Sequence, residues 1–302
     1  MPWRNRLLFT LSTLIVLFMA GAVYLAHERA MGLVHPGRTF PERTPEQVGL
    51  ASVEDVRFPS SDGLLLAAWF IPPGEENPGP TVIFVHGLGA NRSGLLDQAK
   101  LLVDHGYGAL LLDLRNHGES EGSLTTMGYL EVEDIRGAVA YLLGRSEVDP
   151  QRIGILGHSL GGGIVIMAAA RIPELRAVVA ESAFTSLEDN IAQGVRQLTG
   201  LPPFPFAPLV IAFGEQEAGV DIQQVRPVHD VAQISPRAIL LIHGEKDTLI
   251  EVGNARELYA AARAPKRLYV IANAAHSDLL EADPHRLEQE LVDFLATYLV
   301  SR

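Results

Sequence analysis

Residues 153–163, IGILGHSLGGG, constrain the fold more tightly than any other stretch of this chain. A short apolar run runs straight into Gly157-His158-Ser159-Leu160-Gly161 and then into a glycine-rich segment that begins a helix. A strand that becomes a helix within so few residues must turn sharply, which pushes Ser159 out at the tip of the turn. Its neighbours must then be small enough for the helix to pack back against the strand it has just left. Gly157 and Gly161 meet that demand. A bare G-x-S-x-G also arises by chance, so its meaning rests on the surrounding chain.

The surroundings are short, nearly continuous apolar runs at 81–85, 109–112, 153–156, 177–180, 238–242 and 267–271, the pattern of strands buried on both faces. Helical stretches at 93–105, 127–143, 160–171, 252–262 and 284–299 lie between or after them, and such alternation predicts a parallel sheet. Upstream, 53–58 and 64–71 flank Ser60-Ser61-Asp62-Gly63 and predict an antiparallel hairpin. At 302 residues, 47% of them hydrophobic, the chain suits one large α/β domain over 52–302. Only 185–235 breaks the rhythm, with no clear strand and the segment LPPFPFAP at 201–208, a rigid loop or a pocket wall. Insertions of that length in a compact domain are usually functional.

Residues 7–26 carry no charge and follow Arg4 and Arg6, so residues 1–30 read as a transmembrane anchor long enough to span a bilayer. Ala20-Gly21-Ala22 resembles a signal-peptidase site, which leaves secretion after cleavage near Ala22 as the alternative. Residues 31–51 hold three prolines between His35 and Leu50 and predict a linker that keeps the domain off the membrane. Arg29, Arg38 and Arg43 blur the positive-charge bias that sets topology, and the favoured location of the domain is extracytoplasmic. The net charge of −12 and the lack of a Lys/Arg-rich run argue against nucleic acid as a partner. With no cysteine, disulfides, thiolate metal sites and cysteine nucleophiles are excluded.

Ligands of an open parallel sheet sit beyond the carboxyl ends of its strands. Polar residues there include Ser159, Asp247 in HGEKD, and His276 in NAAHSD. A serine hydroxyl becomes nucleophilic when an imidazole accepts its proton, and a carboxylate must fix the tautomer of that imidazole. Glu181 and Asp278 compete with Asp247 for the acid's place, although the loop after the 238–242 run can reach a histidine from behind. A developing oxyanion needs fixed donors, each worth ~3 kcal/mol. The backbone N–H of Leu88, in His86-Gly87-Leu88-Gly89, and of Leu160 are the expected pair. No His and carboxylate spacing suggests a metal, and neither metal nor organic cofactor is expected. A dinucleotide reading of Gly87-Leu88-Gly89 with Asp113 fails where Arg92 stands in the third glycine's place. Asp113 and Arg115 are expected to form a structural ion pair.

These segments together resemble the α/β-hydrolase fold superfamily, in its serine esterase and serine aminopeptidase-like branch, over residues 52–302. DLRNHGES at 113–120 is similar to the D-x-R-x-x-G-x-S segment of many such proteins. The resemblance implies an eight-stranded, mostly parallel sheet with helices on both faces, and makes 185–235 a short cap over the site. It also favours His276 as the base over His86, His117, His158 and His243, because His276 lies on the final strand-to-helix loop. His158 is expected to point away from Ser159. Two departures are Asn273-Ala274-Ala275, where a glycine often precedes the histidine, and an oxyanion loop without a third glycine. The implied activity is cleavage of a small-molecule ester, thioester or amide through an acyl-enzyme. The alternatives are a serine peptidase, which needs an acidic anchor such as Glu215–Glu217, and a catalytically silent binding module at the membrane.

Overall fold

The computed structural model describes residues 3–74 and 77–300, so the outermost residues of the 1–30 and 52–302 segments lie outside the described residues. Eight strands form one sheet: β1 (Glu54–Pro59), β2 (Leu65–Ile71), β3 (Gly79–Val85), β4 (Gly108–Leu112), β5 (Val148–His158), β6 (Leu175–Glu181), β7 (Ala238–Gly244) and β8 (Lys266–Ile271). Their order is β1-β2-β4-β3-β5-β6-β7-β8. β2 is antiparallel to both neighbours and the other pairings are parallel. Each of the short apolar runs from 81–85 to 267–271 therefore lies in a strand.

Alternate residues of each central strand feed opposite faces, as a pleat of period two requires. Ile83, Leu110, Ile155, Val178 and Leu241 join a core shared with α3 (Glu131–Leu143) and α4 (Leu160–Arg171). Val82, Leu111, Leu156, Val179 and Leu240 join a second core with α2 (Leu96–Asp104) and α10 (Pro284–Leu295). On α10 the buried Leu287, Leu291, Phe294 and Leu295 make one stripe. α4 is buried almost all round, which explains its lack of a polar face.

The predicted helix at 127–143 starts late, at Glu131. Its carboxylate accepts hydrogen bonds from the N–H groups of Thr126 and Gly128 and from the Thr126 hydroxyl, at 2.8, 2.8 and 2.6 Å. That holds residues 126–128 in a turn, with Met127 at φ 56°. The 185–235 insertion is helical: α5 (Leu187–Thr199), α6 (Pro203–Ala218) and α7 (Pro227–Asp230), with short 3₁₀ turns. Most of 201–208 thus falls within α6, whose backbone kinks at Phe204 (φ −84°, ψ 132°) between Pro203 and Pro205, with Pro208 inside the helix beyond the kink. α8 (Gly253–Ala261) and α9 (Leu279–Ala282) complete the helices.

α1 (Trp3–Val34) outlasts the charge-free stretch at both ends. Its residues up to Leu25 are largely exposed, whereas Ala26, Ala30 and Val34, spaced four apart on one face, are buried at the domain. Ala26 and Ala30 pack with Val210 of α6. The segment after α1 lies on the protein rather than spacing it from the membrane. Arg38 donates to the carbonyls of Gly118, Ser120 and Gly122 at 3.1, 2.6 and 2.6 Å. Thr39 donates to Gly89 O at 2.8 Å, Arg43 pairs with Asp97 at 2.7 and 2.8 Å, and Leu50 is buried. Its prolines and polar residues made it look like a free linker, because its partners are distant in sequence.

Candidate active site

From β3 the chain moves to β4 on one side, then returns across β3 to β5 on the other. The crevice at this switch point lies between the loops after β3 and β5. Ser159 sits there at φ 57° and ψ −117°, a conformation costing a non-glycine residue about 1–3 kcal/mol. The surroundings enforce it: Ser159 N–H donates to Glu181 O at 2.9 Å, and Gly163 N–H donates to Ser159 O at 3.2 Å. A Cβ on Gly157 would lie 2.3 Å from Gly161 O, so strand and helix touch backbone to backbone.

His276, in the loop after β8, brings Nε2 to 2.9 Å from Ser159 Oγ and Nδ1 to 2.7 Å from Asp247 Oδ2. Asp247, after β7, is held at its other oxygen by the N–H groups of Leu249 and Ile250 at 2.9 and 2.8 Å. Burial alone would raise its carboxyl pKa. Hydrogen bonds from His243, His276 and Ile250 N–H outweigh that and hold it well below the usual carboxylate range. An ionised Asp247 fixes the proton of His276 on Nδ1, leaving Nε2 to accept from the serine. Ser159, Asp247 and His276 thus form one hydrogen-bonded relay.

The competing acids stand elsewhere. Asp278 accepts from Ala275 N–H at 2.6 Å and shapes the histidine loop. Glu181 is fully buried and faces Gln98 and His158, its Oε2 3.8 Å from His158 Nδ1, with neither oxygen in a hydrogen bond of normal geometry. Burial pushes its carboxyl up to about 8. His158 does not turn away from the site: its ring lies 5.0 Å from that of His276, and burial pushes it down to about 3, so it is neutral there. His243 Nε2 donates to Ile250 O at 2.7 Å and lies 3.3 Å from Asp247 Oδ2, steadying the acid from behind.

Leu88 and Leu160 line the same cavity of about 480 Å³ as Ser159 and His276. As first residue of α4, Leu160 has an N–H without an intrahelical acceptor, at the positive end of the helix dipole. Two histidines brace the loop after β3. His86 Nδ1 donates to Gly87 O at 2.8 Å while Nε2 accepts from Leu114 N–H at 3.1 Å. His117 Nδ1 donates to Arg115 O at 2.9 Å while Nε2 accepts from Gly89 N–H at 3.1 Å. Burial lowers both pKa values, that of His86 to about 3, which keeps both rings neutral and able to accept. Their position after apolar runs was visible in sequence, but the tie between 86–89 and 113–120 was not.

The expected Asp113–Arg115 pair does not form. Asp113 pairs with the buried Arg92 at 3.2 Å and accepts Arg92 N–H and Glu119 N–H at 2.6 and 2.9 Å. Arg115 pairs with Asp134 at 2.7 Å and Asp62 at 2.8 Å. Consecutive loop side chains point apart, so each finds its partner in another element. Glu215 and Glu217 lie outside the cavity lining; Glu215 accepts Ile222 N–H at 2.9 Å and Glu217 pairs with His35 at 2.8 Å. Among the described residues no group of three or more His, Asp or Glu side chains is placed to hold a metal ion. Arg29 and Leu33 of α1 also line the Ser159 cavity, a contribution hidden in a segment that reads as an anchor.

A family model for the alpha/beta hydrolase fold matches residues 80–210, from β3 into α6. The chain is 30% identical over 255 residues to the YfhR protein of Escherichia coli (strain K12), a match covering 82% of each chain. It is 28% identical over 239 residues to the YqkD protein of Bacillus subtilis (strain 168), covering 78% of this chain and 77% of that one. Among solved structures, the esterase Pf2001 of Pyrococcus furiosus aligns with a TM-score of 0.72 at 26% identity, over 88% of this chain and 100% of the esterase. The sheet order, the strained serine turn and these matches agree, and the chain belongs to the α/β-hydrolase fold family.

Proposed function

We propose that this protein is a serine hydrolase that cleaves a carboxylic ester, with thioesters and amides open to the same chemistry, through an acyl-enzyme. The carrying observation is the relay from Ser159 through His276 to Asp247. Ser159 Oγ attacks the acyl carbon as its proton passes to His276 Nε2, and Asp247 stabilises the imidazolium. The carbonyl oxygen, now anionic, is met by the N–H groups of Leu88 and Leu160. The alkoxide leaving group takes the proton from His276 and departs as alcohol. Water then gives a proton to His276 Nε2 and attacks the ester of Ser159, and collapse releases the acid and returns the proton to Ser159.

The esterase neighbour supports ester over peptide, and so does the engagement of Glu215 and Glu217 away from the cavity. α1 is taken as a retained membrane anchor with the domain outside the cytoplasm. The buried contacts of Ala26, Ala30 and Val34 support a helix that stays with the domain.

A fluorophosphonate probe tests the mechanism. It should label the wild type and spare Ser159→Ala; equal labelling of both, or of neither, overturns the proposal. A domain shielded from protease in intact cells overturns the location.

A further inference from the structure

The cavity above Ser159 has a neighbour that the hydrolytic chemistry does not require. A second, mostly apolar chamber of about 440 Å³ lies between α1 and the cap. Arg29, Leu33, Met127, Asn190 and Leu249 line both, so the two chambers adjoin. On the α1 side the second chamber is lined by Phe18, Gly21, Ala22, Leu25, Arg29 and Leu33. Spacings of three and four residues put these on one helix face, and they span about 22 Å along its axis. The far wall is Ile191, Val195 and Phe206 of the cap.

Two features bear on what this space can hold. Gly21 and Gly194 both line it, and a Cβ added to either would meet no atom within 4 Å. Glycines thus stand where larger side chains would fill it. Phe18 to Leu25 also belong to the charge-free stretch proposed as the anchor, so with α1 in a bilayer this end of the chamber lies at the depth of lipid tails. Arg29 stands at the junction of the two chambers, just past that stretch.

We propose that α1 is one wall of an acyl-chain site, and that the substrate is a long-chain carboxylic ester drawn sideways from the bilayer. Its chain occupies the space between α1 and α5, and its carbonyl reaches Ser159. Water fills such an apolar chamber poorly, whereas a flexible hydrocarbon of matching length gains burial along its whole extent. The anchor is therefore part of the substrate site as well as a tether. This inference rests on the proposed ester hydrolysis.

The test uses the full-length protein in phosphatidylcholine vesicles, with p-nitrophenyl acetate and p-nitrophenyl palmitate as substrates. Gly21→Trp and Gly194→Trp should each lower the palmitate-to-acetate ratio of kcat/KM at least tenfold. Leu17→Trp, which lines neither chamber, should keep the wild-type ratio. An unchanged ratio in both glycine variants, or a wild type that hydrolyses acetate but not palmitate, overturns the acyl-chain site alone. A wild type that hydrolyses neither and takes no fluorophosphonate label overturns the hydrolase proposal instead. A second measurement needs neither catalysis nor tryptophan variants. Phosphatidylcholine with a diazirine at the end of its acyl chain, irradiated with the Ser159→Ala protein, should give adducts on α5 around Ile191 and Val195. Adducts confined to the outer face of α1 overturn the inference.

Discussion

Gly161 approaches the Val85 carbonyl so closely that a Cβ on Gly161 would lie 2.1 Å from that oxygen. The obstacle is backbone of the adjacent strand, which cannot rotate aside as a side chain does. Gly161→Ala should therefore displace α4 from β3 and cost about 3 kcal/mol or more, at the upper end of overpacking penalties. A thermal melt of the purified variant checks this; an unchanged Tm would mean the elbow is looser than its geometry states.

Asp247→Asn keeps the size of the acid but loses the charge that fixes the His276 tautomer. Ester hydrolysis should fall on the order of 10³–10⁴-fold in kcat, with a much smaller change in KM. Steady-state kinetics on p-nitrophenyl acetate decides it, and a loss under tenfold would assign the acid's role to another carboxylate, Glu181 first.

Glu181 makes a different prediction because its carboxyl is raised to about 8 by burial. The folded state then holds this proton more tightly than the unfolded chain, whose glutamate titrates near 4.3. Between those values unfolding releases a proton, so this group's contribution to stability falls as pH rises and levels off above about 8. Glu181→Gln mimics the neutral acid and removes the dependence. Its stability advantage over the wild type, read as Tm, should grow from pH 5 to pH 8, with an upper bound on the order of 5 kcal/mol. Parallel melts at the two pH values settle it; an advantage that shrinks with pH has the wrong sign for a buried neutral carboxyl.

His117→Leu removes the acceptor for Gly89 N–H and the donor to Arg115 O while keeping an apolar side chain. Leaving a buried donor unpaired costs about 1–3 kcal/mol, and the loop that positions Leu88 loses its brace. kcat should drop about tenfold or more while KM changes little, since the strain falls on the donors proposed to act on the oxyanion. Equal loss in kcat for His117→Asn, which can still accept from Gly89, would detach the effect from the hydrogen bond.

How much of this was legible before the fold depends on how local each signal is. The strands and the serine turn were, because buried-strand runs and flanking glycines are short-range patterns. Ser159, Asp247 and His276 were legible as strand-end residues, and their convergence follows from the sheet order. The partners of Asp113 and Arg115 were not, since Arg92, Asp134 and Asp62 reach them from other elements. The direction of His158 was not legible, because a sharp turn that should point it away from Ser159 says nothing of how burial beside Glu181 orients its ring. The start of α3 was obscured by the Glu131 carboxylate, which stabilises a turn where helix periodicity already begins.

The docked segment from His35 to Leu50 leaves the tether almost no slack. Arg38 binds three carbonyls of the 118–122 turn, and Thr39 touches the loop after β3 itself through Gly89. With α1 in a bilayer, the domain cannot tumble on a leash, so the mouth of its cavity keeps one height and one bearing relative to the lipid plane. Such an enzyme samples a surface rather than a volume. On the proposed ester hydrolysis its rate should follow the mole fraction of ester among the lipids: diluting the vesicles in buffer should leave that rate unchanged, and diluting the ester with inert lipid should lower it.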